Sequence, residues 1–584
     1  MSQPANPHQA IYNIAALCAA HGLTEVVLSP GSRCAPLTLA FARHPATNVR
    51  VVPDERAAAF IGLGIAQARR APTVLVCTSG TAGLNYAPAV AEAFYQQVPL
   101  LILTADRPPE WIDQLDGQTI RQNGLYGAHV KGSYTFPTET THPDARWQAN
   151  RIINEAINLA KAYPPGPVHV NIPLREPLYP TGEVVFEEVR VVQTSTTDNS
   201  QERTSDEDAF DILDALENGT LGSKTLIVVG QSQFDHKLFY SLRGIKATIL
   251  ADHLSNLRPS PGSAEALDTV VSNYDSLLAD HNQDDLRPTL LITIGLSVTS
   301  KNLKNFLRRN PPILHAHIQQ SGIAPDPFKT LTHIIKEEPY AFFNKIYKNK
   351  YPASKPENPY NRIWFSKKCT TMRLLNSLLS ANDGSFNELQ ALRKATHWSG
   401  YRFYPDSVHF ANSMAVRYAS LLSLSANVKG LDAFANRGTS GIDGCTSTAV
   451  GYALAEPDKQ VVLLTGDVAF FYDRNAFWHN YPTPNLRVVL LNNHGGGIFR
   501  LIDGPRQQPE LEEFFETRQA LTAENLCRDF HLPYFPVDSM AKLEAALPVF
   551  FGPEGAGGVL EIQTDSQVNA AFFEEYRAAV KKAF

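Results

Sequence analysis

Residues 463–499, LLTGDVAFFYDRNAFWHNYPTPNLRVVLLNNHGGGIF, hold two apolar runs, and each ends in a polar pair. The first stops at Gly466-Asp467 and the second at Asn492-Asn493, ahead of Gly495, Gly496 and Gly497. QVVLLTGD reads as a strand entering a turn, DRNAFWHNY as a helix, and LRVVLLNNHGGGIF as a strand entering a glycine-rich loop. Together they form one βαβ unit. Its right-handed crossover sets the two strands parallel, with both carboxyl ends on one edge. Asp467 and Asn493, 26 positions apart, then approach each other. A carboxylate, an amide oxygen and an exposed carbonyl at Gly495 are hard oxygen ligands of the kind that Mg²⁺ takes alongside substrate phosphates. Glycines let the backbone close on such a ligand without a Cβ in the way. The plainer reading of the same pairs is that they are turn residues ending two strands.

Working outward, the chain has 584 residues, a 43% apolar and 19% charged composition, and a net charge of −6. That is the composition of a folded protein of several domains. So weak a charge recommends neither nucleic acid nor an anionic membrane as partner. Cys18, Cys34, Cys77, Cys369, Cys445 and Cys527 are scattered, with no zinc-like spacing, and read as reduced thiols of a cytoplasmic protein. The amino terminus lacks the basic and apolar regions of a signal peptide, and no apolar run is long enough to span a bilayer.

Residues 1–185 alternate short strands and helices: TEVVLSPGSR, ERAAAFIGLGIAQARR, TVLVCTSGTAG and PLLILTADRPPE. Such alternation predicts a parallel sheet covered by helices on both faces, with ligands at the carboxyl ends of the strands. The interval VVQTSTTDNSQERTSDED reads as a linker. A second block, 208–345, carries TLIVVGQS, ATILAD, TLLITIG and PILHAHI. His315 and His317 in the last of these share a strand face and read as structural, since no third metal ligand accompanies them. The Lys-, Asn- and Pro-rich stretch from Tyr340 to Arg362 reads as a crossing segment into a third block, 360–584. The expected fold is α/β, with three doubly wound parallel-sheet domains, of which the first and last share an architecture.

The Gly-Asp followed 26 residues later by Asn resembles the cofactor motif of thiamine-diphosphate enzymes. More narrowly, SPGSRCAPLTLA, DERAAAFIGLG, TSGTAGLNYAPAVAEAF, LTADRPPE, GQTIRQNGLY, GPVHVNIPLREPL, ANSMAVR, ANRGTSGIDG and NNHGGGIF resemble, in matching order, segments of the menaquinone-pathway synthases of the MenD family. The resemblance implies a pyrimidine-binding first domain, a central α/β domain, and a diphosphate- and metal-binding third domain. It implies thiamine diphosphate as cofactor, with Mg²⁺ or Mn²⁺. Glu55 would contact the cofactor's pyrimidine ring, and Ile442 would hold the cofactor bent. Gly438, Ser440, Gly466, Asp467, Asn493, Gly495, Gly496 and Ile498 would complete the cofactor site, with Asp467, Asn493 and Gly495 on the metal. Taken alone, Glu55 reads as an acid favoured by a helix amino terminus.

The family reaction joins 2-oxoglutarate to isochorismate with loss of CO₂. Both are dicarboxylates, which the planar guanidinium fork binds well. The resemblance assigns Ser413, Arg417 and Arg437 to 2-oxoglutarate, and Ser32, Arg33, Arg107 and Gln118 to isochorismate. Gln118 would orient the second substrate or a proton-carrying water. Ile498, Phe499 and Ile502 would form an apolar wall. The family also implies a homodimer or homotetramer with active sites between chains. One departure stands out: where the family has Lys-Arg in the central domain, this chain has Lys301-Asn302, one positive charge fewer, with Lys304 nearby. The rival readings are another thiamine-dependent decarboxylase or carboligase, of the acetolactate synthase kind, and an inactive relative that retains only the fold. Retention of Glu55 and Asp467 argues against the second.

Overall fold

A computed structural model describes residues 8–179, 183–194, 212, 224–234, 236–259, 270–279, 283–349, 358–382, 384–424, 430–552, 555 and 557–584. Eighteen strands among them form three six-stranded sheets whose strand pairs are parallel. The first sheet contains β1 (Glu25–Leu28), β2 (Asn48–Val51), β3 (Thr73–Cys77), β4 (Leu100–Asp106), β5 (Ser133–Thr135) and β6 (Val168–Pro173), in the order β2-β1-β3-β4-β6-β5. Its inner strands β3, β4 and β6 are buried along their whole length, because helices cover both faces.

The second sheet, β7 (Thr225–Val229), β8 (Thr248–Ala251), β9 (Val270–Val271), β10 (Leu290–Ile294), β11 (Leu314–Ile318) and β12 (His333–Ile335), runs β12-β11-β10-β7-β8-β9. The third contains β13 (Ser407–Phe410), β14 (Asp432–Ala435), β15 (Val461–Gly466), β16 (Leu486–Asn492), β17 (Tyr534–Val537) and β18 (Gly558–Gln563). Its order, β14-β13-β15-β16-β18-β17, repeats that of the first sheet strand for strand. The shared architecture expected of the first and last blocks is therefore present.

By packing, the described chain forms two compact units. One comprises the residues to 197 with 436–461 and 469–486, and the other 198–435 with 462–468 and 487–584. In the first unit the helices Glu55–Arg69 and Cys445–Ala455 lie backbone to backbone. A Cβ on Gly64 would stand 2.0 Å from the Thr448 carbonyl oxygen, and one on Gly451 2.0 Å from that of Ile61. Only glycine permits this approach.

In the second unit the long helix Pro359–Ala381 is capped by the Asn358 side chain, which accepts from the Tyr360 and Asn361 amides. It buries Tyr360 and Trp364 in the core on one face of the second sheet, and Leu375 and Leu379 in the core of the third. At the β14 edge of the third sheet, the Asn256 side chain accepts from the Ala433 amide and donates to the Ala433 carbonyl. Strand β14 thus keeps its edge groups bonded.

One expectation is corrected. DRNAFWHNY is not the helix of the βαβ unit: the helix is Asp467–Tyr472, followed by a single 3-10 turn at Arg474–Phe477. The backbone leaves the helix at Asp473 (φ −106°, ψ 31°), whose side chain is taken up by the Ser447 amide and hydroxyl. The stretch read as a crossing segment runs from the helix Pro339–Asn349, which buries Phe342 and Phe343, to the helix that begins at Pro359, and its residues 350–357 lie outside the described residues. The expected linker lies, from residue 195 onward, outside the described residues. All six cysteines are free thiols. Among the described residues, no helix is long and apolar enough to cross a membrane.

His315 and His317 have structural partners. The Thr293 hydroxyl bonds both rings, at 3.0 and 2.8 Å, and Thr330 and Gln319 take the remaining ring nitrogens.

Candidate active site

In the second unit, the carboxyl edge of the third sheet gathers the strand-end residues. The Ala411 amide donates to the Leu464 carbonyl (2.8 Å), so β13 leaves the sheet beside β15 and carries Ser413 and Arg417 with it. Ser413 has φ +74°, and the exposed Arg417 donates to its carbonyl one turn later. Gly466 ends β15, and Asp467 opens the following helix almost wholly buried. Its Oδ2 accepts from Gln519 Nε2 (2.8 Å). Burial pushes the Asp467 carboxyl up to about 7; the Gln519, Val468 and Gly495 N–H groups oppose the shift and the nearby Glu388 charge adds to it.

At the end of the neighbouring strand β16, Asn493 Nδ2 donates to Glu388 Oε1 (2.6 Å), whose other oxygen accepts from the Tyr418 hydroxyl (2.9 Å). Burial raises the Glu388 pKa against these two bonds. Asn493 Oδ1 is buried and finds no hydrogen-bond partner among the described residues. A buried acceptor left so costs on the order of 1–3 kcal/mol, and a donor or a cation at this oxygen could offset that cost.

The glycine loop beside it is tightly built. The Gly496 amide donates to the Glu516 carbonyl (2.6 Å), and the Gln519 amide donates to that of His494 (3.0 Å). A Cβ on Gly495 would meet the Glu516 oxygen at 2.6 Å, and one on Gly497 the Asn493 Nδ2 at 2.9 Å. Glu516 is itself held by Arg500, Nη2 to Oε2 at 2.6 Å and Nε to Oε1 at 3.0 Å. The Gly495 N–H donates to the Asp467 carboxylate and the Gly495 carbonyl accepts from the Gly497 amide (3.0 Å), so the oxygens of Asp467, Asn493 and Gly495 at this sheet edge are of the kind that could hold a small divalent cation. Of the apolar wall, Ile498 packs partly buried on the core, Phe499 faces Phe515 at 6.0 Å, and Ile502 is 39% exposed. Lys301 is exposed at the first position of the helix Lys301–Arg309, and Asn302 donates to the backbone and carboxylate of Asp275.

In the first unit, three strand-end loops meet. A Cβ on Gly31 would collide with Thr78, and one on Gly80 would lie 3.2 Å from the Cα of Gln118, which has φ +54°. The loops after β1, β3 and β4 are thus in contact, which brings Ser32, Arg33, Arg107 and Gln118 to one sheet edge. Arg33 is buried and donates to the Leu174 carbonyl (3.0 Å). Arg107 donates to the Gly117 carbonyl (3.0 Å) and pairs with Asp116 (3.2 Å). Glu55 is partly buried in the first turn of its helix, after the cap Asp54.

The loop bearing Arg437, Gly438, Ser440 and Ile442 is fixed by Glu92. That carboxylate accepts from the Gly438 and Thr439 amides, each at 2.7 Å, and from the Thr439 hydroxyl at 2.5 Å. Ser440 holds φ +64°.

Four residues of these sites escaped the sequence reading: Glu388, Gln519, Glu92 and Gln122, whose amide ties the Gly80 amide to Ala105 and Asn171. Glu388 follows the helix cap Asn387 and looks like any first-turn acid. Glu92 was the more visible, as the one acid of the apolar helix Ala87–Gln96.

Residues 11–126 match the family model of the thiamine pyrophosphate enzyme N-terminal TPP binding domain, and residues 426–560 that of the C-terminal TPP binding domain. Fold and strand-end site accordingly define a thiamine pyrophosphate enzyme. Over 99% of its length the chain is 43% identical to the whole of a 2-succinyl-5-enolpyruvyl-6-hydroxy-3-cyclohexene-1-carboxylate synthase of Cytophaga hutchinsonii. Synthases of the same name from Flavobacterium johnsoniae (35% identity, 97% of each chain) and Porphyromonas gingivalis (37%, covering 95% of this chain and 94% of theirs) are also similar. The chain belongs to the 2-succinyl-5-enolpyruvyl-6-hydroxy-3-cyclohexene-1-carboxylate synthase family.

Proposed function

We propose that the protein decarboxylates 2-oxoglutarate on thiamine diphosphate and adds the resulting four-carbon unit 1,4 to isochorismate, giving 2-succinyl-5-enolpyruvyl-6-hydroxy-3-cyclohexene-1-carboxylate and CO₂ in menaquinone biosynthesis. The observation that carries this reading is Asn493 Oδ1, buried and without a hydrogen-bond partner among the described residues, just past the end of β16, whose neighbour β15 leads into Asp467. Mg²⁺, or Mn²⁺ in its place, would be held by Asp467, Asn493 and the Gly495 carbonyl. Gly438, Ser440, Ile442, Gly466, Gly496 and Ile498 would receive the organic cofactor.

When bound, thiamine diphosphate supplies a carbon nucleophile and a cationic ring that takes up the electrons left by CO₂. Glu55 would exchange a proton with the pyrimidine ring. Ser413, Arg417 and Arg437 would hold the carboxylates of 2-oxoglutarate. Ser32, Arg33, Arg107 and Lys301 would hold those of isochorismate, while Gln118 orients it. Ile498, Phe499 and Ile502 would exclude water from the reacting carbon. The domains run 1–185 (pyrimidine-binding), 208–345 (central) and 360–584 (diphosphate and metal). The working unit is a cytoplasmic homodimer or homotetramer with active sites between chains, in keeping with the family.

The test is mass spectrometry of products from purified protein with thiamine diphosphate, Mg²⁺, 2-oxoglutarate and isochorismate, with Glu55→Gln alongside. Isochorismate-dependent coupling that is nearly lost in Glu55→Gln is expected. Decarboxylation without coupling would overturn the acceptor assignment and return the chain to another thiamine-dependent activity.

A further inference from the structure

Resting on that reading of the metal site, we infer that Glu388 is a positioning residue: it holds the Asn493 amide so that the oxygen, not the nitrogen, is presented to the cation. An asparagine amide has two nearly isosteric ends, one a donor and one an acceptor, and only its neighbours decide which end faces where. Only the oxygen can coordinate a hard divalent cation. Among the described residues, Asn493 Nδ2 has one hydrogen-bond acceptor, Glu388 Oε1 at 2.6 Å.

Glu388 is in turn fixed on three sides. Tyr418 donates to its second oxygen at 2.9 Å, its backbone amide donates to Asn569 Oδ1 at 2.8 Å, and it follows directly on the cap Asn387 of its own helix. The side chain is buried, so water cannot substitute for it. The Gly497 backbone closes the opposite side of the amide, with no room for a Cβ. The result is an amide held through its nitrogen, with Oδ1 left over. Residues behind metal ligands typically alter metal affinity by roughly 10–100-fold when changed.

Two variants separate hydrogen bonding from charge. Glu388→Gln removes the charge but keeps an oxygen that can accept from Asn493. Glu388→Met removes both at similar volume, and replacement of a buried charge by an apolar group need not lower stability. Mn²⁺ affinity is read in the presence of thiamine diphosphate from the electron paramagnetic resonance signal of the free ion, with thermal melting recorded beside it. The expectation is that Glu388→Gln stays within about threefold of wild type, while Glu388→Met, still folded, weakens binding by at least about tenfold. Equal losses in both variants would make the effect one of charge and overturn the inference, and unchanged affinity in Glu388→Met would overturn it as well.

A second measurement needs no Glu388 variant to fold. In wild-type protein labelled with ¹⁵N-asparagine, one side-chain amide, absent in Asn493→Asp, should resist hydrogen exchange. A freely exchanging signal overturns the inference. Failure of wild-type protein to bind Mn²⁺ at all would instead overturn the metal reading, and this inference with it.

Discussion

Asp473 and Glu92 place carboxyl groups where few side chains could replace them. Asp473 is fully buried with the Ser447 amide and hydroxyl on its carboxyl group, and burial lifts its pKa to about 7, well above the ordinary aspartate value of 3.8. Its folded pKa lies above its unfolded one, so the native state binds the proton more tightly. This group's contribution therefore favours folding at low pH and fades as pH rises from about 4 to about 7. Asp473→Asn keeps an acceptor for the Ser447 amide and should flatten that part of the profile of melting temperature against pH; an unaltered slope would contradict the assignment. Glu92→Ala removes the acceptor of two loop amides at Gly438 and Thr439. It should lower the melting temperature and weaken thiamine diphosphate binding at least several-fold by calorimetry, with Glu92→Gln intermediate.

At the scale of elements, the contact of Glu55–Arg69 with Cys445–Ala455 is set by two glycines. Gly451→Ala would drive a methyl group into the Ile61 carbonyl and should cost at least about 1–3 kcal/mol in denaturant titration. Gly384→Ala, with nothing within 4 Å, serves as the tolerated control. The elements legible in the sequence were the inner strands. TVLVC, LLILTAD, TLIVV, LLITI and VVLLTG are mostly apolar, with Thr the commonest exception, because helices bury both their faces. The short outer strands went unread. Asn48–Val51 is half exposed, Ser133–Thr135 carries no apolar run, and Val270–Val271 is two residues long. The site was legible where a residue type is itself the chemistry, as at Asp467, Asn493 and the glycines. The residues behind it were not. Glu388 and Gln519 act through partners 105 and 52 positions away, and no local pattern encodes such pairings.

For the whole molecule, several histidines are built in as neutral groups. Burial lowers His169 and His315 to about 4 and His409 to about 3. Each binds its proton more readily unfolded than folded, so stability should fall as pH drops from about 6.5 toward 4, a loss visible in chemical denaturation at stepped pH. A further consequence comes from the helix Pro359–Ala381, whose two ends sit in two different hydrophobic cores. A rod anchored at both ends transmits failure. Damage around Trp364 loosens the same element that Leu375 and Leu379 hold against the third sheet, where Asp467 and Asn493 reside. Substitutions that loosen the core around Trp364 should therefore lower activity while touching neither cofactor nor substrate.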